Sequence, residues 1–100
     1  MVRIERIPVS ELRRKFNEGQ YYERLRAGEL SELVLEEGHP SPPRAQEPFC
    51  TRSQLVAYYE GGTKVAEVHQ VVRPDGDLGA SGRPDPKRLL AGEILYVIDI

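Results

Sequence analysis

The chain is poor in metal-binding and redox-active residues: one cysteine and two histidines in 100 residues. A single Cys50 excludes an internal disulfide and any cysteine-based metal cluster. His39 and His69 could complete a zinc site only with carboxylates at no recognisable spacing. No metal and no cofactor is expected. No apolar run approaches the roughly 18 residues of a membrane span, and MVRIERIPVSELRRKF has no signal-peptide apolar stretch, so a soluble, cytoplasmic protein without a membrane partner is expected. Neither charge sign dominates: 14 Lys and Arg stand against 16 Asp and Glu, a net charge of −2. The marked basic excess of a free-standing duplex binder is missing. Aspartate is missing from the first half. Every acid from Glu5 to Glu47 is Glu, and all four Asp lie between Asp75 and Asp99. Glu suits helices and Asp suits caps and turns, which points to a helix-rich first half and a turn-and-strand second half.

One domain is expected, since 100 residues can bury a core without staples. Residues 1–37 form its helix-rich half, 38–50 a connector, and 51–100 a hairpin, a long loop and a last strand. Val2, Ile4 and Ile7 suggest a short first strand ended by Pro8. Ser10 is placed as a helix N-cap, with Glu11 in the first turn. Leu12 and Phe16, four apart, share a helical face. Tyr22 and Leu25 continue the stripe, and Gly28 is a C-terminal stop. Leu33, Val34 and Leu35 fit a third helical piece capped by Ser31, or a strand because they are consecutive; helix is favoured. Gly38 to Pro48 holds four prolines and one glycine, which excludes helix and central strand.

Gly61-Gly62 between two β-prone runs predicts a hairpin over 54–72. An unbroken register pairs Glu60 with Thr63, Tyr58 with Val65 and Gln54 with His69. It puts Leu55, Ala57, Ala66 and Val68 on one face, towards the helices, and Val56, Tyr58, Glu67 and His69 on the other. Asp85-Pro86 followed by Gly92 has the signature of a short helix. Glu93–Ile100 reads as a well-covered strand. The expected fold class is α+β, with short N-terminal helices packed on a small, mostly antiparallel sheet (hairpin 54–72 plus strand 93–100) and the first strand at its edge.

Between the hairpin and the last strand lies RPDGDLGASGRPDPKR, residues 73–88, with three prolines, three glycines and seven charges. A loop of this length in a compact domain is functional or disordered. Directly before it stands His69, with Glu67 two residues away. A histidine beside a carboxylate can move protons, and Arg73, Arg83 and Lys87 could stabilise charge on a phosphorus. His69 with these cations is the minimal equipment of a metal-independent, toxin-like ribonuclease. Against it stands a plain half-exposed strand histidine. Gly79–Arg83 resembles an anion-binding turn, but Asp85 would occupy the helix N-terminus behind it. Asp75 and Asp77 suit Asx-type turns around Gly76. Cys50 lacks an activating motif. Adjacent Tyr58 and Tyr59 must point to opposite faces, so one is available to a partner. Arg13, Arg14 and Lys15 read as part of a solvated face with local ion pairs.

The string VHQVVRPDGDLGASGRPDPK resembles the C-terminal part of small uncharacterised bacterial and phage proteins with a similar "H…RPDG…G.SG.PDPK" pattern after a Tyr-rich hairpin. The resemblance covers about half of the chain and implies no established activity. With no complete catalytic set, the leading expectation is a binding module. It would present the 73–88 loop through Tyr58, Arg73, Asp75, Ser81, Arg83, Lys87 and Arg88 to a macromolecular partner, a protein before an RNA. The ribonuclease is the alternative, and a homodimer through the mixed sheet face or an edge strand is a third.

Overall fold

In the computed structural model, residues 2–38, 51–79 and 82–99 are described. Cys50, Ser81 and nearly all of the Pro-rich connector lie outside them. The elements in chain order are β1 (Arg3–Ile7), α1 (Val9–Glu18), α2 (Tyr21–Arg26), β2 (Ser31–Gly38), β3 (Arg52–Glu60), β4 (Thr63–Val72), β5 (Asp85–Ala91) and β6 (Ile94–Ile98). The strands form one sheet in the order β1-β6-β5-β4-β3-β2. β1 runs parallel to β6 and every other neighbouring pair is antiparallel.

This overturns the expected fold class. The described residues form a six-stranded mixed sheet, 54% strand against 19% helix, with two short helices. Two segments expected to be helical are strands. Residues 31–38 pair with β3, because Leu33-Val34-Leu35 has no helical stripe to bury and the sheet satisfies its backbone. Asp85–Ala91 lies between β4 and β6. Its adjacent Leu89 and Leu90 alternate across the sheet, Leu89 buried and Leu90 half-buried, where a helix would have offered no apolar partner at i+3 or i+4. Pro86 is tolerated because the register slips beside it, between Glu67 and Val68, and a bulge needs no donor there. Gly92 (φ 63°) is a hairpin turn residue rather than a helix end.

The helices that do form follow their pattern. Leu12 and Phe16 are the buried residues of α1, whose cap position is held by Pro8 rather than Ser10. α2 ends in a Schellman arrangement in which Gly28 N–H donates to Leu25 O (3.1 Å) and Glu29 N–H to Arg24 O (2.9 Å), with Gly28 at φ 86°. A Cβ at Gly19 would run into the Tyr21 ring, so a larger residue at this corner would have to shift that ring from its stack on Phe16.

The hairpin β3–β4 forms, but in a different register. Glu60↔Thr63 and Tyr59↔Lys64 pair as expected, then a bulge at Val65 moves Tyr58 opposite Ala66 and Val56 opposite Val68. One extra residue reverses the faces. Val56 and Tyr58, not Leu55 and Ala57, join Ala66, Val68 and Leu89 under Leu12, Phe16 and Leu30, with Ile7, Tyr21, Tyr22, Leu25, Tyr96 and Ile98 around them. Leu33 is exposed on β2 and plays no part in this core. The helices cover one face of the sheet, and Ala57, Glu67 and His69 belong to the other.

Candidate functional site

The loop after β4 is braced by its own backbone. Arg73 N–H donates to Asp77 O (2.8 Å), Gly76 N–H to Arg73 O (2.9 Å) and Gly79 N–H to Val71 O (2.7 Å). Val72 and Leu78 form a β-bridge. At the tip, Asp77 N–H donates to Asp75 Oδ1 (3.0 Å) and Gly76 sits at φ 92°, the Asx-type turn expected there. Because 85–91 is a strand, the loop narrows to 73–84, of which 73–79 and 82–84 are described. The proposed phosphate cradle loses its following helix N-terminus, and Asp85 caps nothing.

This loop stands between two depressions. One is an open groove of about 830 Å³ lined by Tyr22, Leu25 and Arg26 of α2, Ser31 and Glu32 of β2, Gln54 and Gln70 of the hairpin, and Arg73, Asp77 and Gly82 of the loop. Its floor holds an amide chain in which Gln70 Nε2 donates to Gln54 Oε1 (2.9 Å) and Gln54 Nε2 to Glu37 Oε2 (3.0 Å). The Arg26 guanidinium lies 5.8 Å from the Tyr22 ring centre. The other depression is a cleft of about 440 Å³ lined by Arg13, Asn17, His69, Gln70, Val71, Gly79, Arg83, Pro84, Asp85 and Pro86.

The loop cations expected around His69 are dispersed. Arg73 belongs to the groove. Arg83 reaches the cleft but donates to Glu23 Oε2 (2.8 Å) and Asn17 Oδ1 (3.2 Å), and this bond holds the Glu23 carboxyl below its usual range. Lys87 Nζ is bound to Asp85 Oδ2 (3.2 Å). Burial pushes the Asp85 carboxyl up, but hydrogen bonds from Arg13 (2.9 Å) and Lys87 outweigh it and leave it lowered. Arg88 lies 3.6 Å from Glu67, a largely buried carboxylate that also takes Lys64 Nζ at 2.7 Å. His69 pairs with Leu55 and Asp85 rather than Gln54. His69 nonetheless lines the same cleft as Arg13 and Arg83.

Tyr58 is fully buried, so it is not a surface contact; Tyr59 is the more exposed of the two. The Tyr58 hydroxyl has no hydrogen-bond partner among the described residues, and burial pushes its pKa well above the ordinary tyrosine value. Sequence reasoning missed Tyr22, Arg26, Gln54 and Gln70 as groove residues. Two amides in otherwise apolar strand runs were the available signal. Among the described residues, no group of three or more His, Cys, Asp or Glu is placed to hold a metal ion, and no helix is long and apolar enough to cross a membrane. No family model matches the chain, and no curated protein or solved structure matches it.

Proposed function

We propose that the protein is a binding module in which the 73–84 loop and α2 form the walls of a site for an extended segment of a partner protein. The observation that carries this reading is the groove of about 830 Å³ between them. It is open, it is near the upper end of small-molecule sites, and it offers amides, both charge signs and an aromatic ring rather than an apolar pocket. Such a surface suits a polypeptide backbone with mixed side chains. The braced stretch 73–79 arrives preorganised, which lowers the ordering cost of binding. The cytoplasm is the proposed location, where a lone cysteine stays reduced.

The test is to pan random linear peptides against the protein. Enriched peptides are then measured by fluorescence anisotropy against wild type and an Arg26→Glu/Asp77→Arg variant, both changes at groove-lining positions. At least about a tenfold loss, about 1.4 kcal/mol, is expected in the variant. Equal binding to both proteins, or no enrichment, overturns the reading.

A ribonuclease is the second reading, favoured by the presence of His69, Arg13 and Arg83 along one cleft. It predicts metal-independent loss of mixed RNA with wild type and not with His69→Ala. Intact RNA with both proteins across pH 5 to 8, the window in which histidine changes charge, removes it.

A further inference from the structure

Among the described residues the sheet ends at β1 on one side and at β2 on the other, and the side chains of these two edge strands complement each other. Among the described residues, five of the six exposed large hydrophobics lie on the edge strands: Val2 and Ile4 beside or within β1, and Leu33, Val34 and Leu35 in β2. Natural edges are normally kept short, charged or bulged against stray pairing. β2 carries both Glu residues and a bulge, with Leu35 as the extra residue between Val34 and Glu36. Yet β2 is acidic, whereas β1 (RIERI) is net basic.

The placement of these charges matches rung by rung. Arg3 and Arg6 are three residues apart. Through their partners Ile94 and Val97 they fall on opposite faces, Arg3 on the side of Tyr96 and the helices, Arg6 on the other. Glu32 and Glu36 are four residues apart in sequence. Because the bulge removes one position, they pair with Tyr58 and Leu55, three rungs apart and also on opposite faces, Glu32 on the helix side. Strand directions agree as well. β1 is parallel to β6, and four successive antiparallel steps lead from β6 to β2, so β1 and β2 run the same way. A second copy placed beside the first, helices on the same side, brings its β1 alongside β2 in parallel. Arg3 then meets Glu32, Arg6 meets Glu36, and Ile4 (64% exposed) meets Leu33 (55% exposed) on the open face between them.

We propose that a second copy of this chain docks its β1 edge on the β2 edge, so that the protein assembles head to tail through a continuous sheet. Symmetric alternatives are disfavoured, since β2 on β2 brings two acidic strands together and β1 on β1 two net-basic ones. Arg3, Arg6, Glu32 and Glu36 have no ion pair with another described residue, so the charges are unspent within one copy. The contact is heterologous, and each added copy leaves a free edge at either end. A five-residue strand buries little surface, so the assembly is weak and its size depends on concentration.

Light scattering and sedimentation over rising concentration test it. Wild-type mass should climb beyond a dimer and fall to the monomer in about 1 M salt, where charges are screened within about 3 Å. The variants Arg3→Glu/Arg6→Glu and Glu32→Arg/Glu36→Arg, with folding checked by circular dichroism, should each stay monomeric. Mixing them should restore assembly, because each then meets edges of opposite charge; this restoration also separates lost assembly from lost folding. A wild-type monomer at the highest concentration, a mass that stops at a dimer, variants that assemble like wild type, or a mixture that stays monomeric would each overturn the proposal.

Discussion

Tyr58 and Asp85 show how single residues took roles that their neighbours in sequence did not announce. Tyr58 was expected at the surface and lies under Phe16, ring centres 6.1 Å apart, with its hydroxyl unpartnered among the described residues. A buried hydroxyl without a hydrogen bond costs about 1–3 kcal/mol. Tyr58→Phe should therefore match or exceed wild type in its urea midpoint, and a loss above about 1 kcal/mol would show that the hydroxyl is engaged. Asp85 was expected to cap a helix and instead ties β5 to Arg13 of α1. Its carboxyl is lowered below the reference value of 3.8. A group depressed in the folded state stabilises above its unfolded pKa, and that contribution is lost as pH falls through the folded value. Asp85→Asn should cost about 0.5–1 kcal/mol at pH 7. The gap to wild type should close as pH drops below about 4; a gap that persists at pH 2 would assign the cost to something other than charge.

At the level of elements, β6, the β3–β4 hairpin, α1 and the Gly28 stop could be read from the chain, because each rests on local chemistry: alternation, a Gly-Gly turn, an i,i+4 apolar pair, a glycine at positive φ. The strand nature of β2 and β5 could not. Both carry good local helix signals in Ser31 and in Asp85-Pro86, and both are strands because neighbouring strands pair with their backbones. The face assignment failed at one residue. Nothing in Thr63–Val72 marks Val65 as a bulge, yet it decides whether Val56 or Ala57 meets the helices. Deleting Val65 should force residues 66–72 to the wrong face relative to β3. The expected result is loss of the cooperative thermal transition and of near-ultraviolet circular dichroism, and a deletion variant that melts like wild type would show that the bulge can migrate.

For the whole molecule, two short helices hold one face of a six-stranded sheet through a small set of side chains. Phe16 is central, stacked on Tyr21 (5.7 Å between centres) and packed on Tyr58. Phe16→Ala should cost about 3–5 kcal/mol, a large share of the stability of a domain of this size. It should release α2 and with it one wall of the groove, so chemical denaturation and peptide binding should fail together. A variant that keeps the groove's peptide affinity while losing stability would separate the groove from the core.

The candidate site was legible only in part. The loop announced itself by its prolines and glycines, and the Asx-type turn at Asp75 follows from residues two apart. Its neighbours did not, because Tyr22, Gln54 and Arg73 are brought together by a sheet order that skips along the chain. What the sequence by itself determined are the features whose physics spans a few residues: turns, the Gly28 helix stop, alternation, and the absence of an internal disulfide and of long apolar runs. Only the tertiary structure decided which face of each strand is buried, which segments become strands, and where the loop's charges go. Those outcomes depend on backbone pairing between residues far apart in sequence, and one inserted position in such a pairing reverses every side chain beyond it.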